Sequence, residues 1–166
     1  MIRIRLETND DQLAIRRVND AAFGTREEAD IVDALRAEGH ALVSLVAEVG
    51  GRVVGHVLFS RMWIRTAGAS IDAVALAPLA VAPEHQRQGI GGLMIHEGLR
   101  ALRSRGETIV IVVGHPAYYP RFGFASARAA ALASPFPADA FMALELVPGA
   151  LDGVSGRVEY PKALGL

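Results

Sequence analysis

A glycine-rich turn follows an apolar segment near the middle of the chain. Residues 79–92 read LAVAPEHQRQGIGG, so an apolar run ends at Pro83 and glycines open the next helical pattern. The first N–H groups of a helix have no partner within the helix, and the helix dipole makes this end positive. Glycines let a ligand approach the backbone without a Cβ in the way, and Arg87 adds a fixed positive charge. This segment therefore predicts a site for a phosphate or pyrophosphate group.

Two common phosphate-binding motifs do not fit this turn. A dinucleotide fingerprint G-x-G-x-x-G that begins at Gly89 would need glycine at position 94, where Met94 stands. A P-loop needs a lysine directly after its last glycine, whereas the only lysine of the chain is Lys162. The phosphate would therefore be held by backbone N–H groups, helped by Arg87.

A second group of chemically active side chains lies at residues 114–124, which read GHPAYYPRFGF. The preceding residues Thr108–Val113 are β-branched and apolar, which predicts a buried strand. His115 would then stand at the C-terminal end of a strand, where α/β proteins collect their active-site residues. An imidazole with an intrinsic pKa near ~6.5 can accept a proton at neutral pH, although capping of the following turn accounts for His115 equally well.

The elements that would position these two segments form a strand–helix–strand unit. Ile71–Val81 is almost continuously apolar, which indicates a strand covered on both faces. Pro78 inside it predicts a bulge or splay, because proline cannot donate to a sheet ladder. Gly89–Arg105 has helical spacing and is followed by Gly106, a typical helix terminator. The order of elements predicts parallel pairing of the strands 71–81 and 108–113 through a right-handed crossover.

The rest of the chain predicts further strands and helices around this unit. Gly50-Gly51 between two apolar runs indicates a hairpin, because both residues accept positive φ. Pro116 is expected to open a short helical turn. The predicted elements are strands at residues 2–6, 42–49, 52–64 and 140–147 and helices at residues 13–22 and 27–37.

Composition excludes several classes of protein. The 166 residues suit a single domain over residues 1–166. The absence of cysteine excludes disulfides, thiolate metal sites and a cysteine nucleophile. A formal net charge of −1 argues against nucleic-acid binding. No apolar run is long enough to span a bilayer and the N-terminus lacks a signal-peptide core, so we expect a cytoplasmic protein without a membrane partner.

The sequence also gives no sign of a metal site. His96-Glu97 begins an H-E-x-x-H motif, but position 100 is Arg100. We therefore expect no metal cofactor.

The two chemically active segments together resemble the GNAT superfamily of N-acetyltransferases, in particular its YhbS-like subgroup. Gln86-x-x-Gly89-x-Gly91 matches the superfamily's pyrophosphate signature Q/R-x-x-G-x-G/A, and Leu79-Ala80-Val81-x-Pro83 matches its cofactor strand. Tyr119-x-x-x-Gly123-Phe124 matches its Y-x-x-x-G-F element. The resemblance covers at least residues 42–124. It implies a single-domain α/β fold with a mixed, twisted sheet of about six or seven strands, flanked by helices and splayed at the fourth strand.

The resemblance also implies a function and a set of site residues. The function is transfer of an acetyl group from acetyl-CoA, as co-substrate, to a primary amine by direct attack in a ternary complex. By similarity, Tyr119 is the general acid that protonates the departing thiolate of CoA. The backbone of the strand and of the turn would bind the cofactor, at Leu79, Ala80 and Val81 for the pantetheine arm and at Gln86, Arg87, Gln88, Gly89, Ile90, Gly91 and Gly92 for the pyrophosphate.

The general base and the acceptor amine are left open by the sequence. The strand at residues 71–81 lacks the glutamate found at this place in the family, and Asp72, His115 and Glu28 are the remaining candidates, of which we select His115. Two other functions compete with catalysis: a non-catalytic acyl-CoA-binding or regulatory module of the same fold, and a nucleotide-binding domain. The acceptor can be a small molecule, a peptide or a protein, and the superfamily includes homodimers.

Overall fold

The computed structural model describes all 166 residues as an open, mixed sheet of eight strands with helices on both faces. The order of the main path is β1-β2-β3-β4-β5-β7, and β8 pairs with both β3 and β6. The strands are β1 Ile2–Leu6, β2 Ala41–Val49, β3 Arg52–Arg65, β4 Ser70–Val81, β5 Ile109–Val113, β6 Leu132–Ala133, β7 Phe141–Glu145 and β8 Gly156–Glu159. This confirms the predicted α/β fold with a mixed sheet.

Two of the eight strands had no counterpart in the sequence prediction. β6 has only two residues, and β8 has four in a segment rich in glycine and proline. Such short strands carry no periodic pattern, because periodicity needs several alternations to be visible. β8 forms because residues 157–159 pair with residues 63–65 of β3.

Three helices cover the sheet: α1 Gln12–Phe23, α2 Glu27–Ala37 and α3 Ile90–Ser104. α3 contributes Ile90, Met94 and Leu99 to the largest core cluster, while α1 and α2 pack through Ile15 and Leu35 in a separate cluster. Successive side chains of a strand point to opposite faces, so Leu45 and Val46 of β2 belong to these two different clusters. None of the helices is long and apolar enough to cross a membrane.

Most predicted elements agree with the structure to within a residue or two. The predicted hairpin at Gly50-Gly51 is confirmed, since both residues have positive φ (57° and 78°) and β2 pairs antiparallel with β3. The predicted parallel pairing around α3 is also confirmed, because Val74 of β4 lies opposite Val110 of β5. The segment after β5 instead turns first and enters a 3-10 helix only at Tyr119–Phe122.

The predicted irregularity at Pro78 is a β-bulge. Val57 of β3 lies opposite Leu79, whereas Phe59 lies opposite Leu76, so β4 has one more residue than β3 between these pairs. Parallel pairing with β5 is confined to Val74 and Ala75. Beyond these residues β4 and β5 separate, which is the splay expected at the fourth strand.

A small polar network is buried where α1 meets the sheet. Asn19 donates from Nδ2 to the carbonyl of Ile15 at 2.9 Å and lies 3.1 Å from Nδ1 of His56. Because this amide group is a donor, Nδ1 must accept, and the ring carries its proton on Nε2, 2.9 Å from the hydroxyl of Ser44. Burial, with a smaller contribution from the charge of Arg36, lowers the pKa of His56 to about 3.

Candidate active site

The last residues of β4 turn backbone groups that pair with no strand toward the gap between β4 and β5. The N–H group of Ala82 donates to the carbonyl of Val54 in β3 at 2.8 Å, so this residue faces β3. Because strand residues alternate, Val81 and Leu79 turn their N–H and carbonyl groups to the opposite side. Ala80 faces β3, where it lies opposite His56.

The turn after β4 is fixed by one side-chain hydrogen bond and two left-handed residues. Gln86 donates from Nε2 to the carbonyl of Val81 at 2.9 Å, which ties the turn to the end of the strand. Arg87 and Gly89 have φ of 63° and 81°. This conformation costs an L-residue about 1–2 kcal/mol, so Gly89 fits by its conformational freedom. α3 begins at the next residue, with its first N–H groups facing the turn.

Two further glycines of this turn make room for aromatic side chains. A Cβ at Gly91 would lie 2.9 Å from the hydroxyl of Tyr118, and one at Gly92 would lie 3.3 Å from the ring of Phe122. In the sequence, these glycines are predicted to let a ligand approach the backbone closely. The structure gives them a second reason, because the aromatic turn at residues 118–122 packs directly on the first turn of α3.

β4, the start of α3 and the aromatic turn enclose a cavity of about 710 Å³, which we call the basic cavity. Two guanidinium groups line it, and no carboxylate does. Arg121 stacks over the ring of Tyr118, with 4.9 Å between its guanidinium carbon and the ring centre. Positive charge and free helix N–H groups without a competing carboxylate suit an anion with several phosphates.

Ten of the twelve predicted site residues line the basic cavity, and Ala80 and Gln88 do not. Ala80 is buried with its backbone turned to β3, and Gln88 is exposed outside the cavity. The ten are Leu79, Val81, Gln86, Arg87, Gly89, Ile90, Gly91, Gly92, His115 and Tyr119. Arg121 and Tyr118 also line it; both stand inside the segment 114–124, which is the signal by which they could have been selected.

A second, smaller pocket of about 310 Å³ lies across the gap between β4 and β5, and we call it the apolar pocket. Eight of its ten lining residues are hydrophobic, and Glu28 is the only charged one. The bulge of β4, the end of β5, α1, α2 and the C-terminal 3-10 turn Lys162–Leu164 contribute to its wall. Its apolar wall includes Phe23, Ile31, Leu76, Pro78, Val113 and Leu164.

Tyr119 and Leu79 line both cavities, so these two residues mark where the basic cavity meets the apolar pocket. The ring of Tyr119 packs against Gly114, where a Cβ would collide with it, and forms edge contacts with Tyr118 and Phe124. Burial, with a smaller contribution from Tyr118, raises the pKa of Tyr119 to about 12. The phenol therefore keeps its proton at neutral pH and can act as a donor.

The three candidate bases occupy different places. His115 is exposed and lines the basic cavity but not the apolar pocket. Asp72 lies at the opposite end of β4 from the two cavities, with 68% of its side chain exposed and Arg61 at 4.0 Å. Glu28 is half-buried and lines the apolar pocket. The structure therefore brings two of the three candidates to the two cavities.

Residues 3–127 match the acetyltransferase (GNAT) domain. The chain is 44% identical to the uncharacterized N-acetyltransferase YjhQ of Escherichia coli over 116 residues, which cover 69% of this chain and 64% of YjhQ. It is 36% identical to the uncharacterized N-acetyltransferase YhbS of Escherichia coli over 160 residues, which cover 95% of each protein.

Two crystal structures are similar over nearly the whole fold. YhbS from Escherichia coli in complex with CoA has a TM-score of 0.91 and 34% identity, and the match covers 99% of this chain and 92% of that one. A GNAT family acetyltransferase from Brucella melitensis in complex with acetyl-CoA has a TM-score of 0.83 and 37% identity, with 99% and 98% covered. With its domain match, its relatives and its fold in agreement, the chain belongs to the GNAT family of acetyltransferases.

Proposed function

We propose that this protein transfers the acetyl group of acetyl-CoA to a primary amine by direct attack in a ternary complex. The observation that carries the proposal is the meeting of the basic cavity and the apolar pocket at Tyr119 and Leu79. Two substrates bound in these cavities would contact each other only there. The chain has no cysteine to form an acetyl-cysteine, which further supports direct transfer.

Acetyl-CoA would bind along the basic cavity; the two similar crystal structures are complexes with CoA and with acetyl-CoA, which supports this choice of co-substrate. The pyrophosphate would accept hydrogen bonds from the N–H groups at the start of α3, with Arg87 and Arg121 supplying charge. The pantetheine arm would pair like an added strand with the backbone of Leu79 and with the N–H group of Val81, whose carbonyl already accepts from Gln86. We propose that the acetyltransferase domain extends over residues 1–166, since the C-terminal turn contributes Leu164 to the apolar pocket.

In the proposed reaction the nitrogen of the neutral amine attacks the carbonyl carbon of the thioester. A C–N bond forms, the carbonyl oxygen becomes negative, and an N–H group at the end of β4 would stabilise it. The C–S bond then breaks, and Tyr119 donates its proton to the departing sulfur. His115 would accept the proton that the nitrogen loses; because His115 does not line the apolar pocket, that proton would travel through a bridging water.

The proposal is tested by titration calorimetry with acetyl-CoA and by thiol release with a panel of amines. We expect Tyr119→Phe to bind acetyl-CoA with little change and to lose about 100-fold or more in kcat, because general acid catalysis contributes at least that factor. Tyr160→Phe is the matched control: Tyr160 is half-buried like Tyr119, its hydroxyl is buried without a protein partner, and the residue lines neither cavity. An unchanged kcat for Tyr119→Phe would remove the assigned acid.

Calorimetry also separates catalysis from binding alone. Absence of acetyl-CoA binding would refute the proposal outright. Binding without thiol release for any amine would instead identify a non-catalytic acyl-CoA-binding module. For the base, we expect His115→Gln to lower kcat and to change its dependence on pH, whereas an unaltered pH profile would exclude His115.

A further inference from the structure

Resting on the proposed function, we propose that the acceptor is a small primary amine with a hydrocarbon body and that Glu28 binds its ammonium group. The amine would lie in the apolar pocket, with the hydrocarbon body against the apolar wall and the nitrogen between Glu28 and Tyr119.

The wall of the apolar pocket favours a hydrocarbon ligand. Eight of the ten lining residues are hydrophobic. Phe23 and Val113, at 41% and 37%, are among the few large hydrophobic residues of the chain that are exposed to solvent. Burying such side chains under an apolar ligand is favourable at roughly 25 cal/mol per Å² of apolar surface. A highly charged polyamine would gain less from this wall, because burying its methylene segments there would also desolvate several ammonium groups, of which Glu28 could pair with only one.

Glu28 is a carboxylate without a cationic partner in this apolar setting. Its Oε1 accepts a hydrogen bond from the hydroxyl of Thr25 at 2.8 Å, and no arginine, lysine or histidine nitrogen lies within 4.0 Å of it. By contrast, Asp30 and Asp33 of the same helix both pair with Arg16, at 2.6 and 2.8 Å. Glu28 is therefore a half-buried carboxylate beside apolar surface that no side chain of the protein neutralises, and the ammonium group of an amine would be a favourable partner for it.

The position of Glu28 relative to Tyr119 gives the carboxylate a role in orienting the amine. Both residues line the apolar pocket, and Tyr119 also lines the basic cavity. An ammonium group held at Glu28 would therefore stand on the side of the pocket from which, after releasing one proton to solvent water, the neutral amine reaches the thioester. The volume of about 310 Å³ is at the lower end for small-molecule sites and therefore suits a compact ligand.

The probes are phenethylamine, spermidine and a lysine-containing peptide, each with acetyl-CoA. We expect kcat/KM for phenethylamine to exceed those of the other two by at least tenfold. We expect Glu28→Gln to raise the KM for phenethylamine about tenfold or more, with kcat changed less than threefold. Glu27→Gln removes the same charge from the neighbouring, exposed residue outside the pocket and should leave KM unchanged. A preference for spermidine or the peptide would overturn the assignment of the substrate class.

A neutral analogue separates recognition of charge from damage to the pocket. 2-Phenylethanol has the same hydrocarbon body, so Glu28→Gln should leave its inhibition constant within about twofold of wild type. Equal weakening of phenethylamine and 2-phenylethanol would mean that Glu28 only maintains the pocket and would overturn the inference.

A direct measurement of phenethylamine binding tests the role of Glu28 separately from catalysis. Phenethylamine is titrated into wild-type protein and Glu28→Gln, each saturated with CoA, so that no turnover is needed. Weaker binding to Glu28→Gln would support the inference even if no thiol were released and the proposed function failed. Thiol release with an unchanged affinity in Glu28→Gln would refute the inference alone.

Discussion

The buried His56 makes the stability of the fold depend on pH in a defined direction. Burial lowers its pKa from 6.5 to about 3, so the folded protein holds the ring neutral. The unfolded chain takes up a proton as the pH falls below 6.5, and the folded chain does not. The contribution of His56 to the free energy of unfolding is therefore fully present well above pH 6.5, and it is lost progressively as the pH falls from 6.5 to about 3.

The size of the effect follows from the two pKa values. Each pH unit in this window costs about 1.4 kcal/mol. Between pH 7.5 and pH 5.0 the free energy of unfolding should fall by about 2 kcal/mol from His56 alone. For a small domain this corresponds to a shift of about 1 M in the urea midpoint.

Urea unfolding of the wild type at the two pH values, followed by fluorescence or circular dichroism, measures this loss. His56→Gln should be less stable at pH 7.5, because Ser44 and Asn19 lose their partner, but its loss between pH 7.5 and 5.0 should shrink by about 2 kcal/mol. His96→Gln, at an exposed position, should keep the full loss. A His56 ring that titrates above pH 5 in NMR spectra, or a wild-type stability that is the same at both pH values, would refute the reasoning.

Three further outcomes are expected. Gly98→Ala places a Cβ against the ring of Phe59 in β3 and should lower the free energy of unfolding, measured by urea titration, by about 1–2 kcal/mol. The control Gly68→Ala has open space around it and should change this free energy by less than about 0.5 kcal/mol. Gln86→Leu frees the turn from β4 and should weaken acetyl-CoA binding about fivefold in calorimetry, the equivalent of one hydrogen bond, while Gln88→Leu should bind like wild type. Because the pKa of Tyr119 is raised to about 12, kcat should not fall between pH 8 and 10, and a loss with a midpoint near 10 would contradict this assignment.

The sequence by itself predicted the features whose causes are local. The free N–H groups at the start of α3, the freedom of Gly89 to adopt positive φ and the inability of Pro78 to donate to a ladder are all set within a few residues. The periodic pattern of α2 and the apolar runs of β2–β4 are local too, so the bounds of these elements could be predicted to within a residue or two. For the same reason the resemblance of residues 79–92 and 114–124 to the family could be recognised in the sequence.

The tertiary structure decided how distant segments share one site. Ala80 lies in the middle of the predicted cofactor strand, yet the register of β4 on β3 turns its backbone away from the cavity. Leu164 reaches the apolar pocket from the end of the chain, and the position of Tyr119 between two cavities depends on where β4 and β5 separate. These outcomes depend on strand register and on packing between residues far apart in sequence. Periodicity and motif spacing report only on residues that are close in sequence, so they could not predict them.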